Sequence, residues 1–136
     1  MQSDFVLLDT DVFISLTRGK QTAARYEPMV AGKLVVLSFA SVAELWRGAY
    51  AMNYKEASRR RLEASIAATV VVPPTDGLTQ AWARLTHDAR SAGHALGQKA
   101  QTHDAWVAAT AIHHELPLLT GNARHFAGLP ELTLVT

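Results

Sequence analysis

Three acids in this chain stand where short apolar runs give way to helical pattern, and carboxylates gathered in that way can hold a divalent cation. Asp9 follows Phe5-Val6-Leu7-Leu8 directly, Glu44 falls in the first helical turn after Leu34-Val35-Val36-Leu37, and Asp104 heads Asp-Ala-Trp-Val-Ala-Ala-Thr-Ala-Ile. With no cysteine in the chain, thiolate metal sites, disulfide scaffolds and cysteine nucleophiles are excluded. Carboxylates and imidazoles remain as ligands, and oxygen-bound cations become the default. Each acid also has a plainer role open to it. Asp9, Thr10 or Asp11 could cap the following helix. One cap is enough, however, and two like charges so close together are costly without a cation. Ser41-Val42-Ala43-Glu44 fits a capping box, in which the glutamate reaches back to the cap residue's amide. Asp104 would gain roughly 0.3–1 kcal/mol from the helix dipole alone. Positions 104, 108, 111 and 112 nevertheless share one helical face, and the last three are Ala, Ala and Ile. Asp104 therefore heads a face meant for the core, where a charge needs a cation or a full set of hydrogen bonds.

The elements that must position these acids alternate. Apolar, partly β-branched runs occur at Phe5-Val6-Leu7-Leu8, Leu34-Val35-Val36-Leu37, Thr69-Val70-Val71-Val72, Leu116-Pro117-Leu118-Leu119 and Leu132-Thr133-Leu134-Val135. Each is expected to be a strand buried on both faces. Helical pattern covers roughly 11–18, 22–31, 41–53, 55–67, 76–93 and 103–115, with a turn of helix near 122–126. The alternation predicts an α/β fold with right-handed crossovers, whose ligands gather outside the carboxyl ends of the strands. At 136 residues, 49% hydrophobic and 18% charged, the chain suits one domain, 1–136. No apolar run approaches the roughly 20 residues that span a bilayer, and the opening MQSDFVLLDTDV carries acids where a signal peptide is basic, so a cytoplasmic protein without a membrane partner is expected. A net charge of +1 says little about a polyanionic partner.

Taken together, these segments resemble the PIN domain, and most closely the VapC-type toxin ribonucleases of toxin-antitoxin pairs. The resemblance spans nearly the whole chain. It rests on Leu7-Leu8-Asp9-Thr10-Asp11-Val12-Phe13-Ile14, Ser41-Val42-Ala43-Glu44-Leu45, His103-Asp104-Ala105-Trp106-Val107-Ala108-Ala109-Thr110-Ala111 and Leu119-Thr120-Gly121-Asn122-Ala123-Arg124-His125-Phe126. It implies a three-layer α/β/α sandwich around a parallel sheet of four to five strands. It further implies that Asp9, Glu44 and Asp104 bind one or two Mg²⁺ or Mn²⁺ ions, which activate water against an RNA phosphodiester and leave a 5′-phosphate. A cognate antitoxin, a homodimer and possible higher toxin-antitoxin assemblies are the partners it implies besides the RNA substrate.

One position departs from that pattern. Asn122 stands where many PIN domains carry a fourth acid. A neutral amide does not offset cationic charge, so a second ion would need substrate phosphate to bind well. Asp11 is a candidate to compensate, and Thr120 could hydrogen-bond a carboxylate or a water at the metal.

Among the remaining residues, Arg59-Arg60-Arg61 fan around a helix and read as a solvated surface. Arg47, Arg84, His87, Lys99, Arg124 and His125 are candidates for a phosphate track. None of the six histidines has zinc spacing, and His113-His114-Glu115 reads as a helix end. Trp46, Tyr50 and Tyr54, with Leu45, Ala49 and Met52, make their helix apolar beyond one stripe, which suggests a partner surface. Two rival readings are testable. Asp9-Thr10-Asp11-Val12 matches the D-x-D-x-[TV] nucleophile motif of haloacid-dehalogenase phosphatases, with Ser38 in the place of their second motif, although no late pair of acids follows a strand. A non-catalytic module that binds RNA or a partner is the other.

Overall fold

The computed structural model describes residues 4–19 and 21–135. The first three residues of the acidic N-terminal stretch, Lys20 and Thr136 lie outside the described residues. Four strands form one parallel sheet: β1 (Phe5–Leu8), β2 (Leu34–Ser38), β3 (Val70–Val72) and β4 (Leu118–Leu119), in the spatial order β3-β2-β1-β4. The expected fifth strand is reduced to a single parallel bridge, Leu118 to Leu134. Among the described residues, seven α-helices connect and flank the strands: α1 (Thr10–Thr17), α2 (Ala23–Val30), α3 (Phe39–Ala51), α4 (Glu56–Ala67), α5 (Asp76–Ser91), α6 (Thr102–His113) and α7 (Ala123–Phe126). Two short 3₁₀ turns, Ala95–Gly97 and Lys99–Gln101, lead into α6.

Alternation along β1 sorts the core into two layers. Leu7 packs with Val36, Val72 and Leu118 beneath Ala89, Val107, Ala108 and Phe126 of α5, α6 and α7. Val6 and Leu8 point the other way, to Val12, Phe13, Tyr26 and Leu45 of α1, α2 and α3. Successive side chains of a strand alternate faces, so Val6, Leu7 and Leu8 between them reach both layers. Within α6, Ala105, Val107, Ala108, Ala109, Thr110 and Ala111 are all buried. Small side chains let this helix lie close to the sheet, and a helix apolar nearly all round is a buried one.

Not every strand is buried on both faces. Val70 and Val71 are 47% and 37% exposed, and Leu34 and Phe5 are 55% and 39% exposed. β3 forms the sheet edge, and α4, which covers it, has no fully buried residue. At the other ends of β1 and β2, Leu8, Leu37 and Ser38 are sealed. The sheet is driest at its carboxyl edge.

The start of α3 differs from expectation in a way that matters for Glu44. The helix begins at Phe39, and Ser38 is its cap, with the Ser38 hydroxyl accepting from the Ala40 amide at 3.2 Å. Ser41 lies inside the helix, fully buried, and its Oγ has no hydrogen-bond partner among the described residues. The capping box at Ser41 and Glu44 does not form. An earlier serine in an extended backbone meets the amides first, and Glu44 is left free of that duty.

Candidate active site

Strand order reverses at β1. From β1 the chain steps to β2 and then β3 on one side, and β4 returns to the other side of β1. Parallel sheets open a crevice at such a switch point, beyond the carboxyl ends of the two strands that flank it, here β1 and β4. Leu8 pairs with Leu119 in the β1–β4 register. The residues that follow, Asp9 and Thr120, therefore come out side by side. The Asp9 amide donates to the Leu119 carbonyl at 2.9 Å, and Thr120 Oγ1 donates to Asp9 Oδ2 at 2.8 Å.

Asp9 is both cap and candidate ligand. Its Oδ1 accepts from the Thr10 amide at 2.9 Å, at the head of α1. It is only 7% exposed, and burial pushes its pKa up to about 6. The hydrogen bond from Thr120 pulls in the opposite direction, the nearby Asp11 charge raises the pKa further, and the Thr10 amide and Asp104 act more weakly. Both of its donors are neutral groups, and a carboxylate offers about four acceptor positions. A buried acid whose charge no cationic donor answers has room for a cation.

Asp104 arrives from the first turn of α6, and its Oδ2 lies 2.7 Å from His125 Nδ1 of α7. Both side chains are about one-fifth exposed, 23% and 22%. Glu44, from α3, reaches the same edge with its Oε2 3.0 Å from His103 Nε2. That imidazole nitrogen is also 3.3 Å from Thr10 Oγ1. Ligand atoms of Asp9, His103 and Asp104 all lie within 4.8 Å of one another, the grouping best able to hold an ion among the described residues. Carboxylates dominate this donor set, as a hard divalent cation requires.

Asp9, Asp104 and Thr120 thus meet, and Glu44 joins them through His103. Asp11 does not enter the close group. It is exposed, with its Oδ2 facing the backbone of Gly121, where a Cβ would come within 3.1 Å of it and within 2.8 Å of the Tyr26 hydroxyl. Asn122 is exposed, and its backbone amide donates to Thr120 Oγ1 at 3.0 Å. It steadies Thr120 through the main chain, and its side chain does not cap α7. The residue that sequence reasoning missed is His103. It has no ligand spacing to a second histidine, and its only signal was adjacency to Asp104 in the first turn of a helix that begins at the active edge.

The other expectations divide. Among the candidate basic residues, His125 sits at the site while Arg47, Arg84, His87, Lys99 and Arg124 are exposed. Arg59 lies over the Tyr50 ring, Arg60 pairs with Glu56 at 2.6 Å and Arg61 donates to Ser58, the solvated arrangement expected. Tyr50 of α3 and Met52 just after it are 66% and 64% exposed. Ser38 closes the phosphatase reading. It is fully buried and receives the Thr110 hydroxyl at 3.0 Å while it caps α3, so it cannot face a substrate.

A three-layer parallel sandwich with acids converging at its switch point defines the class: an α/β domain that gathers carboxylates at one edge. Residues 6–132 match the family described as PIN domain. The chain is 30% identical over 133 residues to Ribonuclease VapC4 of Mycobacterium tuberculosis, covering 96% of this chain and 95% of that one. Its fold is similar to the structure of VapBC2 from Rickettsia felis bound to a promoter DNA fragment, with a TM-score of 0.79, 20% identity and coverage of 96% and 97% of the two chains. It is also similar to VapBC-1 from nontypeable Haemophilus influenzae, with a TM-score of 0.77, 24% identity and 96% of each chain covered. This chain belongs to the PIN-domain family, in its VapC-type branch.

Proposed function

We propose that this chain is an endoribonuclease that hydrolyses RNA phosphodiester bonds with a divalent cation, Mg²⁺ or Mn²⁺, and that it acts in the cytoplasm as the toxin of a toxin-antitoxin pair. The observation that carries the reading is the buried Asp9 carboxylate, with its pKa raised to about 6, beside the ligand atoms of Asp104 and His103. Asp9, Glu44 and Asp104 would hold the cation. When bound, it supplies an activated water and neutralises charge that builds on the phosphate oxygens.

The chain's own residues do the rest. Thr120 fixes the Asp9 carboxylate through its 2.8 Å hydrogen bond, and the Asn122 amide fixes Thr120 in turn. Asp104 has His125 Nδ1 beside its Oδ2 at 2.7 Å. Glu44, with a side chain 46% exposed, stands on the solvent side, where a phosphodiester would enter. VapC4 is named a ribonuclease, and one similar structure is a toxin-antitoxin complex from Klebsiella pneumoniae, which supports an antitoxin as this chain's partner. The exposed Tyr50 of α3 and Met52 just after it suit that partner or a second copy of the chain.

The test is RNA cleavage by purified protein in Mg²⁺ or Mn²⁺, with an Asp9→Asn variant and EDTA as controls. Cleavage leaving 5′-phosphate ends, lost in both controls, is expected. Metal-independent cleavage, or equal cleavage by the variant, overturns the mechanism. A protein that binds RNA without cutting it under any of these ions would be the non-catalytic module instead.

A further inference from the structure

The donor set at the carboxyl edge contains a nitrogen. His103 precedes Asp104 in the first turn of α6, and one of its ring nitrogens lies within 4.8 Å of ligand atoms of both Asp9 and Asp104. Donor atoms on a single small divalent ion, bound at 2.0–2.1 Å, stand at most about 4.2 Å apart. One opposite pair would close by about 0.6 Å or less, while adjacent donors, about 2.9 Å apart on such an ion, would draw in by up to about 1.9 Å.

The ring is also held from two other elements. Nε2 is 3.0 Å from Glu44 Oε2 of α3 and 3.3 Å from Thr10 Oγ1 of α1, and the side chain is 30% exposed. A free surface histidine has no reason to be fixed between two elements. Ligating imidazoles are commonly oriented by a carboxylate on the ring nitrogen that does not bind the ion, so with Glu44 on Nε2 the nitrogen left for the ion is Nδ1.

Resting on the metal-dependent reading above, we propose that His103 coordinates the cation directly, so that the site has a mixed nitrogen and oxygen donor set and discriminates against Mg²⁺. Magnesium favours oxygen donors and dehydrates reluctantly, whereas imidazole suits later first-row ions, whose affinities for such a site rise from Mn²⁺ through Co²⁺ to Ni²⁺. Glu44 then has a second duty, holding the ring toward the ion.

Pulsed electron paramagnetic resonance of Mn²⁺ added to the full chain reads this without any assay of cleavage. The expected result is electron-spin-echo modulation from a coordinated imidazole ¹⁴N in the wild type and in His125→Ala, lost in His103→Ala and in His103→Gln. Competition calorimetry adds a second readout: the preference for Co²⁺ over Mg²⁺ should fall by roughly tenfold or more in His103→Gln. Bound Mn²⁺ with no nitrogen modulation in the wild type overturns the histidine proposal and leaves the carboxylate site standing. Modulation lost in His125→Ala instead also overturns it. Absence of any Mn²⁺ binding would refute the metal-dependent reading itself. A wild-type spectrum with bound Mn²⁺ and no nitrogen modulation decides against His103 even if a variant fails to fold.

Discussion

Asp9→Asn should stabilise the metal-free protein while it abolishes the response to metal. At neutral pH the wild type carries a buried charge whose pKa has risen from 3.8 to about 6. That gap, at about 1.36 kcal/mol for each pH unit, is a cost of about 3 kcal/mol to the folded state. The group is 7% exposed, so solvent does little to relieve it. The sign follows from proton binding. Above pH 6 the acid is charged in both states and the cost is full. Between about 6 and 3.8 the folded state keeps a proton that the unfolded state has released, and stability rises as pH falls through this window. Below 3.8 the acid is protonated in both states and the cost disappears.

Asparagine has nearly the same shape and retains a carbonyl oxygen for the Thr10 amide, and its amide group can donate to the Thr120 hydroxyl. Most of the gain should therefore be realised. At about 2–4 °C for each kcal/mol in a chain near this size, Asp9→Asn should melt roughly 5–10 °C higher at pH 7.5 in EDTA. The gain should shrink steadily to near zero at pH 4. Mn²⁺ at saturating concentration should raise the melting temperature of the wild type and leave that of the variant unchanged. Differential scanning calorimetry across pH 4–8, with EDTA or with Mn²⁺, measures all of this. A variant no more stable than the wild type at pH 7.5, or a gain that persists undiminished at pH 4, would refute the reasoning.

The two serines of α3 should respond in opposite senses to alanine. Ser38→Ala removes the cap and should cost about 1–2 kcal/mol, whereas Ser41→Ala removes a buried hydroxyl without a partner and should be neutral or stabilising by up to about 1 kcal/mol; urea denaturation distinguishes them. Thr120→Val keeps the volume and removes the donor to Asp9, so the acidic limb of the pH profile for RNA cleavage should move upward, because less hydrogen bonding then opposes desolvation. Gly97→Ala would bring a methyl group within 2.4 Å of the Arg90 backbone nitrogen and should cost about 2 kcal/mol or more, read as a fall in melting temperature. Gly121→Ala would crowd the Tyr26 hydroxyl at 2.8 Å and should depress cleavage and stability together, since it displaces the turn that carries Thr120.

Much of the architecture was legible because periodicity reports burial. The run at Leu7-Leu8 ending in Asp9 and the Ala-rich face of α6 both follow from which side chains must leave water. The fifth strand was not legible in the same way. Leu132-Thr133-Leu134-Val135 has the right composition, but one bridge at Leu134 is all that forms, because strand pairing depends on the partner available and not on the run itself. The same limit applied at Glu44. A capping box at Ser41 and a cap at Ser38 both satisfy local preference, and the end of β2 decided between them.

The acids themselves, and their attachment to strand ends and first helical turns, follow from the order of residues along the chain. Their meeting does not. Asp9 and Thr120 are brought together by the β1–β4 register, and Asp104 and His125 by the packing of α6 and α7, contacts between residues distant in sequence. Burial of Asp9, and with it the pKa near 6, exists only once those layers close, since desolvation depends on everything that surrounds the carboxylate. His103 is the plainest case. Its identity was visible beside Asp104 from the start, yet only the crossing of α1, α3 and α6 at one edge turns an unremarked imidazole into a candidate ligand.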